Sequence, residues 1–195
     1  MKRSCVMGLI LLLAGCGTTG PTPDDAFYRL PALRALPANP FAGKTILLPE
    51  FDASSMYRDR AIVAQDGQGL ELRRHHFEFW IDAPPTLVRQ AIATAIRQAE
   101  PTATVLAIRS GNSDYELNGR IDAFDRHPDG NRSSVVVALT LTLRRRGVIV
   151  VSQEYRESVV AGSERMVDSV TAFGTALQRV LERFTSDLAR AERET

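Results

Sequence analysis

The sequence predicts an α+β fold: a mixed, mostly antiparallel β-sheet with two main helices packed on one face. Two long segments repeat apolar residues at intervals of three and four, the pattern of a helix that buries one stripe. Several shorter segments alternate apolar and polar residues, the pattern of a half-buried strand. Turn residues join many of these strands closely enough for hairpins, which favours antiparallel neighbours and helices on one side.

The elements follow the order β-β-β-β-α-β-β-β-β-α. The strand at 70–80 has no cleanly apolar face, so we expect it either at an edge of the sheet or leaving the sheet. The first helix carries Pro84 and Pro85 in its opening turn, where a backbone N–H would lack a partner in any case. The predicted strands are 26–30, 44–51, 61–65, 70–80, 104–108, 115–125, 135–143 and 148–155, and the predicted helices are 82–99 and 166–192.

Each helix should stabilise the fold through one apolar stripe, and Trp80 is expected in the same core. The stripe of the first helix consists of Leu87, Val88, Ala91, Ile92, Ala95, Ile96 and Ala99. The stripe of the second helix consists of Val167, Val170, Phe173, Leu177, Val180, Leu181, Phe184 and Leu188.

The chain opens with the features of a secretory signal peptide. Lys2 and Arg3 precede an apolar run over residues 5–13 that is too short to span a bilayer. The run ends in Leu13-Ala14-Gly15-Cys16, which resembles the bacterial lipobox. The resemblance implies that residues 1–15 are a signal peptide that is removed. It also implies that Cys16 becomes the first residue and carries an S-diacylglycerol group and an N-acyl chain such as palmitate.

This lipid would be a membrane anchor, because each buried CH₂ of its chains contributes about 0.8 kcal/mol. Gly17 stands where an aspartate would resemble the inner-membrane retention signal, which favours the outer membrane, on its periplasmic side. Residues 16–25 then form a lipidated flexible tether, and residues 26–195 form a single domain. Apart from the covalent lipid on Cys16, no cofactor is expected.

The composition argues against a nucleic-acid partner. Loss of Lys2 and Arg3 with the signal peptide lowers Lys+Arg from 24 to 22 against 23 Asp+Glu, a net charge of −1. Cys5 is lost with the same peptide and Cys16 is alkylated, so no thiol remains for a disulfide. The domain therefore depends on packing for its stability.

Several short motifs together resemble the ABC-type transport auxiliary lipoprotein family. The resemblance implies an outer-membrane subunit of an MCE-type ABC system for intermembrane lipid transport, which docks the periplasmic MCE-domain protein to that membrane. It implies no catalytic residues, hence no enzyme. The basic run Arg73-Arg74-His75-His76 departs from the family pattern. The motifs are the lipobox, 27–30, 45–49, 57–63, the passage 76–80 leading to Pro84-Pro85, and 117–124.

The residues themselves offer little for catalysis or metal binding. His75 and His76 are adjacent on a predicted strand and would point to opposite faces, so they cannot readily hold one ion. His127 falls in a predicted turn, where solvent is its simplest partner. The sequence lacks the Gly-x-Ser-x-Gly elbow, the EF-hand spacing and the glycine patterns of phosphate loops.

Two arginine-rich stretches are candidate contact surfaces. Tyr57, Arg58 and Arg60 lie in a predicted loop and combine an aromatic residue with arginines, the composition enriched at protein interfaces. They are the predicted partner-binding residues. Arg144-Arg145-Arg146 is either a solvated turn or a contact for acidic lipid head groups or for a partner.

Two other functions stay open alongside a docking subunit. A stand-alone lipoprotein that binds a lipid or another small molecule would need an apolar cavity between helices and sheet, and phospholipid is its candidate ligand. An envelope assembly factor resembling the lipoprotein of the lipopolysaccharide translocon would also place two helices on a sheet. A neighbouring gene set for an MCE protein, a permease and an ATPase would favour the docking subunit.

Overall fold

A computed structural model describes residues 23–36, 41–66, 69–109, 111–130 and 132–194 of the chain. The predicted signal peptide and Cys16 lie outside these residues. The strands are β1 (Ala26–Tyr28), β2 (Thr45–Leu47), β3 (Asp52–Ala53), β4 (Ala61–Gln65), β5 (Leu72–Trp80), β6 (Thr104–Leu106), β7 (Tyr115–Pro128), β8 (Ser133–Arg145) and β9 (Val148–Val160). The helices are α1 (Pro84–Ala99) and α2 (Met166–Arg193), with a 3-10 turn at Ser55–Tyr57.

The long strand β7 organises a single nine-stranded sheet. On one side it pairs antiparallel with β8 along its whole length, and β8 pairs antiparallel with β9. On its other side β2, β3 and β4 follow one another along β7, all parallel to it. Strand β5 pairs antiparallel with β4, β1 pairs parallel with β5, and β6 pairs parallel with β2. The parallel ladders are short, so most paired residues are in antiparallel ladders.

Both helices bury their apolar stripes against this sheet. Helix α1 packs on β6 and β7, and α2 packs on β8 and β9. The buried side chains of both helices belong to one hydrophobic cluster, which also includes alternate residues of β8 from Val135 to Leu143. Together these contacts confirm the predicted α+β class. None of the described helices is both long and apolar enough to cross a membrane.

Three aromatic residues, one each from β5, β7 and α2, pack together at the centre of this core. The rings of Phe124 on β7 and Phe173 on α2 stack with centroids 4.6 Å apart. Trp80, only 1% exposed, lies edge-on to Phe173 at 5.2 Å. Trp80 is therefore a core residue, as predicted. Large aromatic surfaces in such arrangements contribute more to stability than their buried area alone.

The segment after β1 packs across the helix layer, which the sequence pattern did not predict. Leu33 and Leu36 are buried in the core. The backbone N–H of Arg34 donates to the side-chain oxygen of Gln178 on α2 at 2.9 Å. A Cβ on Gly174 of α2 would lie only 2.9 Å from the Pro31 ring, so a glycine is needed for this close approach. Residues 31–36 are thus part of the packed domain.

The domain has two distinct ends. Strand β7 runs from Tyr115, opposite Arg145 beside the β8–β9 turn, to Pro128, opposite Ser133. We call the side of Arg145 the hairpin end. The tether joins the domain at Ala26, the first residue of β1. Because β1 pairs with β5, β5 with β4 and β4 with β7, Ala26 lies beside the later half of β7. We call that side the tether end. The positions of Tyr115 and Ala26 are about nine residues apart along β7, or roughly 30 Å at ~3.3 Å per residue.

Four local predictions are wrong. The strand expected at an edge or leaving the sheet, β5, lies between β4 and β1, because β1 pairs with its last three residues. The predicted strand 44–51 is shorter, and a ninth strand, β3, follows it. His127 lies within β7, because that strand continues through the predicted turn to Pro128. Val167 is half exposed, since it lies at the first turn of α2, beyond the sheet-facing stripe.

Candidate partner-binding surface

Tyr57 is an interior residue. It ends the 3-10 turn between β3 and β4, and its side chain is only 4% exposed. The phenol donates a hydrogen bond of 2.7 Å to Asp125 Oδ1 on β7. The sequence placed Tyr57 on an exposed loop, and that placement is wrong, because the turn folds back over the sheet. Tyr57 therefore holds the turn in place and exposes almost no surface of its own.

Asp125 is the centre of a buried polar network beneath the turn. It is 3% exposed, and its Oδ1 also accepts from the backbone N–H of Phe124 at 3.1 Å. Its Oδ2 lies 2.5 Å from Nε2 of His127. Burial, followed by the neighbouring Asp125 carboxylate, raises the pKa of Tyr57 above its usual value. A buried carboxylate with three partners is expensive to disturb, so this network fixes the turn to β7.

Arg58 is exposed but committed to its own segment. Its Nη2 lies 2.5 Å from Asp52 Oδ1, and its Nε donates to the carbonyl of Ala53 at 2.8 Å. The pKa of Asp52 is lowered first by the hydrogen bond from the Ala53 N–H and then by the one from Arg58. Arg58 thus closes the loop from β3 to the 3-10 turn, with part of its guanidinium still open to solvent.

Arg60 forms an exposed cation–π contact with an aromatic pair. Its guanidinium carbon lies 5.6 Å from the ring centroid of Phe27 on β1. Phe27 stacks on Phe79 of β5 with centroids 5.7 Å apart, and it is 55% exposed. We call these three residues the Arg60–Phe27 patch. An exposed arginine on an aromatic ring can contact a partner with little loss of side-chain entropy.

The structure separates the two adjacent histidines of β5. His76 is exposed, whereas His75 is half-buried with its Nδ1 3.3 Å from Glu78. Burial is the main reason that the pKa of His75 is lowered. Among the described residues, no three His, Cys, Asp or Glu side chains form a group that could hold a metal ion.

The second arginine-rich stretch lies at the hairpin end. Arg144 and Arg145 are the last residues of β8, and Arg146-Gly147 forms the two-residue turn to β9. Arg145 pairs with Glu192 of α2 at 2.7 Å. The two candidate surfaces are therefore distant from each other in the sheet.

The fold is shared with two solved structures along nearly the whole of their chains. A Xanthomonas campestris protein of the DUF330 family, XCC0632, gives a TM-score of 0.75 at 18% identity, covering 87% of this chain and 99% of that one. The structure of an uncharacterized protein gives 0.72 at 12% identity, with 85% and 99% covered. At such identities the likeness establishes the fold alone. No curated protein matches the chain.

These matches define the class as a single-sheet α+β domain with a two-helix layer. The chain belongs to the family of ABC-type transport auxiliary lipoprotein components, whose model matches residues 28–184. The family resemblance seen in the sequence is thereby confirmed, and it covers the domain from β1 into α2.

Two site residues, Asp125 and Phe27, were not predicted from the sequence. No local pattern identifies Asp125 as a site residue. Its hydrogen bond to Tyr57 joins residues 68 positions apart, and its contact with His127 was hidden because the sequence pattern predicts a turn at residue 127. Phe27 did carry a signal: strand alternation places it opposite to Ala26 and Tyr28, hence on the outer face of β1 if those two residues face inward.

Proposed function

We propose that the protein is a non-enzymatic docking subunit of an MCE-type ABC lipid transport system. It is lipid-anchored through Cys16 to the periplasmic face of the outer membrane, and it binds the MCE-domain protein there. The observation that carries this proposal is the family match over residues 28–184. An auxiliary component of a transporter must contact that transporter, so its function depends on an exposed surface.

The Arg60–Phe27 patch is the surface that best suits this contact. It is exposed, and it combines arginine with aromatic rings, the residue types that dominate the energetics of interfaces. Its Phe27 lies on β1, where the tether leads into the domain. The Asp125 network holds the neighbouring 3-10 turn rigid, which reduces the entropy lost when a partner binds.

The packing of the interior favours docking over a stand-alone lipid carrier. The stripes of both helices close on the sheet, and the central side chains Phe173, Leu177 and Leu181 are fully buried. The groove beside the helix layer, between residues 29–33 and α1, has a volume of about 290 Å³. That volume is at the lower limit of small-molecule sites and well below the needs of two acyl chains. Three larger cavities, of about 760, 710 and 600 Å³, are surface cavities at the hairpin end and beside β4 and β5.

Capture of the MCE-domain protein tests the docking role. The tagged full-length chain should co-purify with it, and Arg60→Ala combined with Phe27→Ala should reduce the yield severalfold. Gln98→Ala, an exposed change on α1, is the matched control and should leave the yield unchanged. Wild-type yield from the double variant would remove this patch from the interface, and no capture by the wild type would refute the docking role.

Lipid anchoring has a separate test. Replacing Cys16→Ser should leave the precursor uncleaved and block labelling by a fatty-acid analogue, because the oxygen cannot take the place of the thiolate. The same variant should leave the outer-membrane fraction. Normal lipid labelling of Cys16→Ser would show that the anchor is elsewhere.

A further inference from the structure

The β8–β9 turn holds an arginine in a backbone conformation that arginine rarely adopts. Arg146 has a φ of 49°, and the next residue, Gly147, has a φ of 87°. Two positive φ angles in a two-residue loop define the type I′ hairpin geometry, for which Asn-Gly is a preferred pair. Among the described residues, Arg146 is the one non-glycine with positive φ. A left-handed arginine costs conformational energy that asparagine at the same place would largely avoid.

The cation of this turn forms no ion pair with the residues that the structure describes. No carboxylate in the described part of the chain pairs with Arg146 or with Lys44, which lines the same cavity. The turn itself is fixed by a hydrogen bond of 3.2 Å from the Arg146 N–H to the carbonyl of Asp114. Two adjoining surface cavities, of about 760 and 600 Å³, share Arg146, Asp114 and Tyr115 in their walls.

Exposed aliphatic side chains lie beside these cations. Val148 is 70% exposed and Ile149 54% exposed, and both line the larger cavity. Its cations are Lys44, Arg145 and Arg146, and its carboxylates are Glu192, paired with Arg145, and Asp114, which accepts from the Thr45 N–H, so the lining is net positive. A solvated turn has no need of two adjacent exposed β-branched residues at the start of a strand. Positive charge next to aliphatic surface fits a ligand that is both acidic and apolar.

The position of this surface favours a protein over the membrane of the anchor. The tether leads into the domain at Ala26, and the hairpin end lies about 30 Å further along the sheet, at ~3.3 Å per residue. The surface therefore lies at the end of the domain opposite to the one that the tether enters. This step rests on the proposed anchoring through Cys16.

We propose that the hairpin end, defined by Lys44, Arg146, Val148 and Ile149, binds an acidic, aliphatic segment of a partner protein. Arg146 supplies the central cation, and Val148 and Ile149 supply the apolar contact. The backbone strain at Arg146 is retained because asparagine would remove the charge that the segment needs.

The test uses the full-length chain in an uncharged detergent and a fluorescein-labelled peptide of interspersed glutamate, valine and leucine. Fluorescence anisotropy should show binding that weakens as salt rises, whereas the peptide's lysine counterpart should not bind. Arg146→Asn should weaken binding roughly tenfold, the loss expected for one charge-assisted hydrogen bond. Its Tm should equal or exceed that of the wild type, because Asn-Gly suits this turn. Arg132→Asn, an exposed change at the tether end, is the matched control and should bind normally.

If Arg146→Asn loses peptide affinity while keeping the wild-type Tm, the arginine acts in recognition of the peptide and not in folding. Equal binding by Arg146→Asn and the wild type would overturn the proposal, as would a wild type that ignores the glutamate peptide. Competition by soluble short-chain phosphatidylglycerol, with no peptide binding, would replace the protein segment by a lipid head group. If Arg146→Asn binds the peptide as the wild type does while the MCE protein is still captured, this site fails and the docking role stands. If the peptide binds through Arg146 but no MCE protein is captured, the docking role fails and this site stands.

Discussion

The two arginine-rich stretches resemble each other in sequence and differ in structure. Around Tyr57 the chain folds back on itself: the tyrosine is buried on Asp125, and Arg58 pairs with Asp52. Around Arg146 the chain reaches outward, and its central arginine has neither an internal ion pair among the described residues nor a relaxed backbone. In the first stretch, Tyr57 and Arg58 form hydrogen bonds within the fold. In the second stretch, the guanidinium of Arg146 forms no ion pair with the described residues.

The difference shows that composition identifies a surface only when every side chain is traced to its partner. Of the three residues predicted to bind a partner, Tyr57 is buried, Arg58 is tied to its own loop, and Arg60 is directed to an exposed phenylalanine. Only Arg60 has the geometry that the sequence suggested for the whole group.

The largest effect should come from Tyr57. Tyr57→Ala removes a buried ring and leaves the Asp125 carboxylate without one of its donors, so it should destabilise the domain by about 3–5 kcal/mol. Urea titration followed by circular dichroism measures this change. Unfolding at the same urea concentration as the wild type would mean that the tyrosine is as exposed as the sequence suggested.

The helix stripes should show the next largest contrast. Leu181 is fully buried, so Leu181→Ala should cost about 2–5 kcal/mol, and Ile92→Ala on α1 should fall in the same range. Gln98 lies on the exposed side of α1, and Gln98→Ala should stay within about 0.5 kcal/mol. Equal urea midpoints for these variants would place the wrong helix faces against the sheet.

A smaller effect should appear at alkaline pH. The pKa of Tyr57 is raised in the folded chain, so near pH 10 the unfolded chain loses this proton first. Its contribution to stability is complete below about pH 10 and declines as the pH rises further. Tyr57→Phe should therefore make the loss of stability above pH 10 shallower. An unchanged slope of unfolding free energy against pH would exclude this role for the phenol.

The smallest effect should come from Arg58. Its ion pair with Asp52 is exposed, and exposed ion pairs are weakened by solvent screening. Arg58→Ala should leave the Tm nearly unchanged, in contrast to Tyr57→Ala one position earlier. A large drop in Tm would show that the bond from Arg58 to the Ala53 carbonyl, and not the Asp125 network, holds the turn.

Local periodicity was enough to predict the fold class, both helices and eight of the strands. It could not predict the two-residue strand β3, whose pairing with Arg120 and Ile121 is purely tertiary. Nor could it place Tyr57, because an aromatic residue in a polar segment fits either an interface or a core. The partner of its phenol lies 68 residues away, and no local pattern encodes that distance. The strain at Arg146 is equally hidden, since arginine-glycine is an unremarkable turn sequence until φ is known.

Photo-crosslinking in cells tests the docking role most directly. A photoreactive residue replaces Arg60 in one variant and Arg132, exposed at the tether end, in the other. We expect a covalent adduct with the MCE-domain protein from position 60 and none from position 132. Adducts of equal yield from both positions, or from neither while the MCE protein is present, would contradict docking through the Arg60–Phe27 patch.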